Sequence, residues 1–425
     1  MYDLLSDLFP YNRSITGDGV RQTLSRIRKE IALIEHSVKS GTNVFGWTVP
    51  PEWNVTVAEI YGPDGQKIID FKDNNLFLMS YSTAVNETMS LDKLLEHVIT
   101  DDTRPDSIPY STSYYKEAWA FCLPHEYVKD MQKGDYSVII ESTKEEGELI
   151  YGEAFIDNSS EKTVLISSYI CHPSMANDSL SGVVLAVELF KQLSSMKDLK
   201  YNYRFLFAPE TIGTICFLHK NQDEVKLSIE YGLVATCLGD SGELTYKKSR
   251  RFNSKINQIV EQIFNSVGLS HRVRPFSPLG SDERQYCSPG FNLDVGVLTR
   301  SVYGEFPEYH TSADNLNFVS EVALRGSLEM FLTVILSYEA NCRFIRIEPH
   351  CEPQLGKFNL YREVGGGGKD SLDDIVQQRM WLLNYADGET DLLKVAQLSS
   401  FDILSLRKTA DDLVQANLIK EVLYE

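Results

Sequence analysis

The chain has 425 residues, which is enough for two or three domains with their own hydrophobic cores. Apolar residues make up 43% of it and charged residues 24%, as is usual for a globular protein, and the formal net charge is -19. This acidic excess disfavours nucleic acid and anionic membranes as the main partner, because both bind basic surfaces.

Two features of the sequence bear on cellular location. The first residues lack the basic and apolar regions of a signal peptide, and no apolar stretch is long enough to cross a membrane. The seven cysteines are too sparse and too irregularly spaced for a disulfide framework or a cysteine zinc site, so we expect reduced, buried thiols. We therefore expect a cytoplasmic protein that does not bind membranes.

The first third of the chain changes character at about residue 44. Helical periodicity predicts a helix over residues 20–34. Alternation of apolar and polar residues then predicts a hairpin of strands 53–61 and 67–71 around a Gly-Pro-Asp-Gly turn. Strands at 117–122 and 137–141 and a helix at 91–98 are also predicted, so residues 44–149 are expected to form a mostly β insertion.

Strands and helices alternate from about residue 150 to residue 345. Apolar runs predict strands at 163–170, 203–208, 233–238 and 295–299, and we expect short strands at 148–156 and 271–274 to extend the sheet. Helical periodicity predicts helices at 183–193, 256–267 and 322–340. This alternation predicts an α/β fold with a mixed, mostly parallel sheet covered by helices on both faces, formed by residues 1–43 together with 150–345.

The remaining residues, 346–425, are expected to form a winged-helix-like domain. Three short helices, at 371–385, 391–397 and 401–415, precede an apolar stretch at 416–422 that can form a strand. This segment contains nine Lys or Arg against fourteen Asp or Glu, which gives a net charge of -5. Such a charge favours contact with a protein, or internal packing, over DNA binding.

The stretch from residue 171 to residue 182 connects a predicted buried strand to a predicted helix, and it carries His172 and Asp178. Loops at the carboxyl ends of strands in an α/β sheet are where ligands bind. An imidazole and a carboxylate suit zinc. Asn177, Asp178 and Ser179 equally suit the N-cap of the following helix, so this stretch alone leaves both interpretations open.

Further polar residues lie in four later loops near predicted strands. They are Glu210, Asp240, the run Ser281-Asp282-Glu283-Arg284, and the run Tyr309-His310-Thr311-Ser312-Ala313-Asp314. Each alone has an ordinary explanation, such as a helix-end carboxylate, a turn aspartate or a hydrogen-bonded histidine. Together they predict a metal cage at one sheet edge, with Glu210 placed to activate water.

This ordered set resembles the zinc-dependent aminopeptidase fold, most specifically over residues 171–182 and 309–315. The order of domains also resembles a bacterial aminopeptidase-like family that ends in a helix-turn-helix. The resemblance implies that Asp178 bridges two zinc ions, that His172 and Asp240 complete one metal site, and that His310 belongs to the other. It also implies that Glu210 is the general base.

Other roles are likewise implied by the resemblance. Substrate-binding positions are Ser281, Asp282, Arg284 and Tyr309, and supporting positions around the ligands are Asn177, Thr211 and Asp314. Asp314 is expected to orient His310 or to cap the following helix.

The sequence departs from the family pattern at two places. Thr211 stands where the family has the carboxylate of the second metal, so one zinc ion is expected and a second is left open. Shifting the match by one residue would make Glu210 a ligand instead of the base. Ser174 replaces the aspartate that normally orients the first histidine, so His172 is expected to be held differently.

The leading hypothesis is a zinc-dependent hydrolase of a peptide or of another small molecule with an amide bond. The alternative is a non-catalytic metal-binding or ligand-binding scaffold or regulator that uses its winged helix to contact a partner. A DNA-binding regulator is disfavoured, because the predicted helix 401–415 offers only Arg407 and Lys408 beside Asp411 and Asp412. A homo-oligomer remains open, and the sequence does not specify the substrate.

Overall fold

The computed structural model describes residues 1–268, 270–358, 360 and 371–422. The chain forms two compact units. The first contains Met1–Phe252 and Arg272–Glu329, and the second contains Asn253–His271 and Met330–Glu425. No helix in the described part of the chain is both long enough and apolar enough to cross a membrane.

A mixed sheet of eight strands dominates the fold. In spatial order its strands are Ile34–Lys39, Glu148–Ile156, Asn202–Ala208, Thr163–Tyr169, Ile229–Ala235, Val295–Thr299, Leu244–Lys247 and His271–Arg274. The four strands from Asn202–Ala208 to Val295–Thr299 are parallel to one another, and antiparallel strands flank them on both sides. The predicted α/β fold with a mixed sheet is confirmed.

The centre of the sheet is covered on both faces. All seven residues of Thr163–Tyr169 are buried, and successive side chains of a strand point to opposite faces. Helix Gly182–Ser195 packs against this strand. A Cβ atom on Gly182 would lie 2.0 Å from the carbonyl oxygen of Ala235, so only glycine permits this close approach.

The predicted helix 20–34 is wrong beyond Arg28. The helix spans Asp18–Arg28, and the chain then forms the edge strand Ile34–Lys39, which pairs antiparallel with Glu148–Ile156. The strand is only partly buried, because it lies at the edge of the sheet. Its side chains therefore lack the clear apolar alternation that would have predicted a strand.

A second sheet of four antiparallel strands lies within residues 44–149. Its order is Lys67–Asp70, Glu52–Tyr61, Asp135–Glu145 and Val85–Ser90, which confirms the predicted hairpin. The predicted strand 117–122 is limited to Phe121–Cys122, which pairs with Val98–Ile99. The predicted helix 91–98 ends at Leu95. A small hairpin joins Asn43–Val44 to Trp47–Thr48.

Several helices complete the first unit. They are Tyr2–Leu8, His125–Lys129, Ile212–Lys220, Gln222–Ser228 and the single turn Glu283–Tyr286. Helix Glu321–Ala340 begins within this unit and ends in the second one.

Among the described residues, the second unit contains the end of helix Glu321–Ala340, four helices of its own and a three-stranded sheet. The helices are Lys255–Val267, Ser371–Tyr385, Leu392–Ser399 and Ile403–Gln415, and the strands are Asp387–Asp391, Arg343–Arg346 and Ile419–Glu421. Asp391 and Asp402 cap two of the helices, because their carboxylates accept hydrogen bonds from Lys394 N (3.0 Å) and Ser405 N (2.8 Å). The predicted three helices and closing strand are present.

Candidate metal centre

Three of the four predicted metal ligands come together in the first unit. Ligand atoms of His172, Asp178 and His310 all lie within 4.8 Å of one another. His172 follows strand Thr163–Tyr169, and Asp178 lies in the helical turn Ala176–Ser181. Asp178 Oδ2 is 3.1 Å from His310 Nε2. The two halves of the cluster, more than a hundred residues apart in the chain, therefore meet at the strand ends.

The chemistry of the three groups fits a zinc ion. Asp178 Oδ2 and His310 Nε2 are buried, and neither has a hydrogen-bond partner of acceptable geometry among the described residues. Burial raises the pKa of Asp178, but the neighbouring histidines outweigh it and lower that pKa to about 2. Burial lowers the pKa of His172 to about 4. At neutral pH the carboxylate is therefore ionised and His172 is neutral, the states in which both groups bind metal.

Asp314 fixes the loop that carries Asp178. Its Oδ1 accepts hydrogen bonds from Ala176 N (3.1 Å) and Asn177 N (2.6 Å), and its Oδ2 accepts one from Asp178 N (2.8 Å). Both carboxylate oxygens are therefore bound to the Asp178 loop. We expected Asp314 to orient His310 or to cap the following helix. In the structure its carboxylate instead supports the loop that carries Asp178.

Asp240, the fourth predicted ligand, is not in the group of residues whose ligand atoms lie within 4.8 Å of one another. Its Oδ2 accepts a hydrogen bond of 2.7 Å from Asn177 Nδ2, and its Oδ1 accepts one of 2.7 Å from Ser301 Oγ and one of 2.6 Å from Gly242 N. Asn177 Oδ1 accepts a further bond from Gly239 N (2.8 Å). The side chain of Asn177 therefore joins two loops and does not cap the following helix.

Sequence reasoning missed two residues that hold His172. Cys171 Sγ lies 3.4 Å from His172 Nδ1 and accepts a hydrogen bond of 3.3 Å from Glu210 N. Arg13, which is fully buried, donates from Nε to the backbone oxygen of His172 (2.9 Å). Cys171 was visible beside His172 in the sequence, whereas nothing in the pattern around Arg13 indicates its contact.

Sequence reasoning also missed Tyr169, whose hydroxyl donates a hydrogen bond to Asp178 Oδ1. Its position at the end of a buried strand, three residues before His172, was a usable signal. This bond occupies Oδ1 and leaves Oδ2 facing His310.

Glu210 lies at the edge of the metal cluster. Its Oε2 is 3.9 Å from His172 Nε2. Burial, followed by the nearby carboxylate of Asp282, raises the pKa of Glu210 well above its usual range. Such a group takes up a proton more readily than an ordinary glutamate, as a general base must.

Thr211 shapes the turn that presents Glu210. Its backbone has a φ of 65°, which is unusual for a β-branched residue, and its N–H donates to Asp282 Oδ1 (2.8 Å). Thr211 Oγ1 accepts a hydrogen bond of 2.7 Å from Arg284 Nη2. Thr211, which was predicted to support the site, thus links the Glu210 turn to residues 282–284.

A cavity of about 570 Å³ opens beside these groups. Glu210, His172 and His310 line it, and of the four predicted substrate-binding residues Arg284 lines it as well. The other three are not among the lining residues. Ser281 and Asp282 are buried, and the Tyr309 ring stacks on the His310 ring with the two centroids 3.9 Å apart.

The segment of residues 110–115 forms another wall of the cavity. Tyr110, Tyr114 and Tyr115 line it, together with Trp47 from the small hairpin. The backbone N–H of Tyr110 donates to the carbonyl oxygen of His310 (2.8 Å). Part of the segment expected to be an insertion therefore contributes directly to the site.

Comparison with known protein families assigns both parts of the chain. The family described as a domain of unknown function (DUF4910) matches residues 2–341, and the family described as winged helix-turn-helix matches residues 343–421.

Individual relatives agree with this assignment. A protein of Clostridium acetobutylicum, provisionally named a polysaccharide biosynthesis protein with an aminopeptidase-like domain, is 47% identical over 422 residues, covering 99% of this chain and 96% of that protein. A crystal structure from the same organism, provisionally described as a peptidase, has a TM-score of 0.93 at 46% identity and covers 99% of this chain and 96% of that one.

The fold is shared more widely. A zinc aminopeptidase from Bacillus subtilis has a TM-score of 0.57 at 13% identity, with 80% of this chain and 93% of that one covered. At this identity the comparison establishes the fold alone. The chain belongs to the DUF4910 family, with an aminopeptidase-like α/β fold followed by a winged helix-turn-helix domain.

Proposed function

We propose that this protein is a zinc-dependent hydrolase of a peptide bond or of an amide bond in a small molecule. The observation that carries the proposal is the convergence of His172, Asp178 and His310 within 4.8 Å, next to Glu210 and to an open cavity. Buried atoms that can bind a metal and lack hydrogen-bond partners, beside a carboxyl group with a raised pKa, are typical of a catalytic site.

Each residue has a distinct task in this proposal. His172, Asp178 and His310 would hold one zinc ion, which supplies Lewis acidity to polarise the scissile carbonyl and to acidify water. Glu210 takes the proton of the attacking water and delivers it to the departing amine, because burial raises its affinity for a proton. Asp314, Tyr169 and Cys171 keep the ligands in place.

The relatives support the proposal. Zinc aminopeptidases with the same fold exist, and the Clostridium relative carries an aminopeptidase-like domain in its provisional name.

A cytoplasmic location is part of the same proposal. The seven cysteines are free thiols, which supports a reducing compartment such as the cytoplasm.

The alternative function is a scaffold that binds metal or ligand without catalysis. It is favoured by Thr211, which stands where the resembling family has a second metal carboxylate, and by the attached winged helix, which would contact a partner. The same residue argues for one zinc ion in place of two.

Turnover decides between the two functions. Zinc-loaded full-length protein should hydrolyse members of a panel of aminoacyl-arylamides, peptides and N-acyl amino acids. Glu210→Gln should lower kcat by about 10²–10⁴-fold, the usual contribution of a general base. Glu146→Gln, a change at an exposed glutamate, should leave kcat unchanged. A fully active Glu210→Gln variant, or a wild type inactive on the whole panel, would overturn the hydrolase proposal.

A further inference from the structure

We propose that the substrate of this site carries a carboxylate group and that Arg284 binds it. This inference rests on the proposed function, since it specifies the substrate class of the same cavity. It assigns to Arg284 a specificity-determining contact with the substrate.

The guanidinium of Arg284 is only partly used by the protein. Arg284 lies in the helical turn Glu283–Tyr286 and lines the cavity together with Glu210 and Thr211. Its Nη2 donates to Thr211 Oγ1 (2.7 Å), while its Nε is buried and has no hydrogen-bond partner among the described residues. A buried donor without an acceptor is unfavourable, so the protein alone satisfies the hydrogen-bonding capacity of this guanidinium only in part.

The acidic residues nearby do not neutralise Arg284 by direct contact. In the described part of the chain none of them forms an ion pair with it, although Glu210, Asp282 and Glu283 act on it through space. Glu283 Oε1 is paired with Lys247 Nζ at 2.6 Å, and Asp282 Oδ1 is occupied by the N–H of Thr211. One oxygen of Glu283 and one of Asp282 are therefore bound to other partners, and the guanidinium remains without a direct carboxylate partner among the described residues.

The other lining residues define the rest of the ligand. Among the described lining residues, Arg284 is the one arginine or lysine. The aromatic side chains of Trp47, Tyr110, Tyr114 and Tyr115 provide a largely apolar surface in the same cavity. A planar guanidinium matches a planar carboxylate through two parallel hydrogen bonds. A phosphate or a polyanion would require more positive charge than this cavity offers, in a chain of net charge -19.

The ligand class follows from these features. The cavity volume of about 570 Å³ suits a small molecule, and Arg284 is adjacent to the turn that presents Glu210. The carboxylate must therefore lie close to the scissile amide, with an apolar or aromatic group against the tyrosine-rich wall. N-acylated amino acids and short peptides with a free terminal carboxylate have this chemistry.

Binding of two matched probes tests the inference without requiring turnover. N-acetyl-L-tyrosine and N-acetyl-L-tyrosinamide differ only in the carboxylate, and both can be titrated calorimetrically into the full-length protein. Wild type should bind the acid about 10–100-fold more tightly than the amide, as expected for a charge-assisted hydrogen-bonded pair. Arg284→Met should abolish this preference, and Arg284→Lys should retain part of it.

One control separates carboxylate binding from a general effect of removing an arginine. Arg250→Met, at an exposed arginine that does not line the cavity, should keep the preference for the acid. If Arg284→Met does not fold, Arg284→Lys and the wild-type comparison of acid with amide decide the question.

Failure of this inference is distinct from failure of the proposed function. Equal binding of the two probes by wild type, or an undiminished preference in Arg284→Met, would refute carboxylate recognition even if Glu210-dependent turnover is observed. An Arg284-dependent preference in a protein without any turnover would support carboxylate recognition and refute only the hydrolase.

Discussion

The backbone N–H of Asp178 donates a 2.8 Å hydrogen bond to Oδ2 of Asp314, a residue 136 positions further along the chain. The same carboxylate accepts the N–H groups of Ala176 and Asn177. The geometry of the loop that carries Asp178 is therefore set by a residue four positions after His310, in the other loop of the candidate site. These hydrogen bonds hold the two loops together.

We expect Asp314→Asn to weaken zinc binding about 10–100-fold, the usual effect of losing a group that orients a ligand. An amide has one acceptor oxygen, and its NH2 group would face backbone N–H donors. Competition with a fluorescent zinc chelator measures this change. Asp130→Asn, at an exposed aspartate, is the matched control, and unchanged zinc affinity in Asp314→Asn would contradict the role given to Asp314.

Asp240→Asn should affect stability more than metal binding. Its carboxylate holds Asn177, Ser301 and Gly242, and loss of these bonds should cost about 1–3 kcal/mol of unfolding free energy. Urea titration measures this loss, while zinc affinity should fall less than in Asp314→Asn, because Asp240 contacts the side chain of Asn177 and not the backbone of Asp178. If Asp240→Asn loses zinc as completely as His310→Ala does, Asp240 is a ligand after all.

The thiol of Cys171 should be unreactive although it lines the cavity. Burial raises the pKa of Cys171 well above its usual range, so the reactive thiolate is scarce at pH 8. Cys351 is exposed and provides an internal reference. Brief alkylation with iodoacetamide, followed by peptide mass mapping, should label Cys351 and leave Cys171 largely free. Equal labelling rates would show that Cys171 is a thiolate and would reopen a catalytic role.

The fold was predictable where local patterns and burial agree. Runs of apolar residues, such as those that form Thr163–Tyr169 and Val295–Thr299, identify central strands because both of their faces are buried. Edge strand Ile34–Lys39 has no such pattern, because it is only partly buried and is formed by pairing with a strand more than a hundred residues away.

The residues that converge in the candidate site could be predicted, but the contacts that support them could not. His172, Asp178 and His310 are placed by strand-end loops, which the sequence reveals. The hydrogen bonds of Arg13 and Asp314 depend on the meeting of distant segments, which local patterns do not encode. The aromatic wall of residues 110–115 likewise enters the cavity only through the tertiary structure.

Metal analysis of purified full-length protein tests the central claim most directly. Wild type and His350→Ala, a change at an exposed histidine, should each retain about one zinc ion per chain after dialysis, as a three-ligand site predicts. His310→Ala and Asp178→Asn should retain almost none while remaining folded. A wild type that binds no zinc, or a His310→Ala variant that binds as much zinc as wild type does, would contradict the metal centre proposed for this protein.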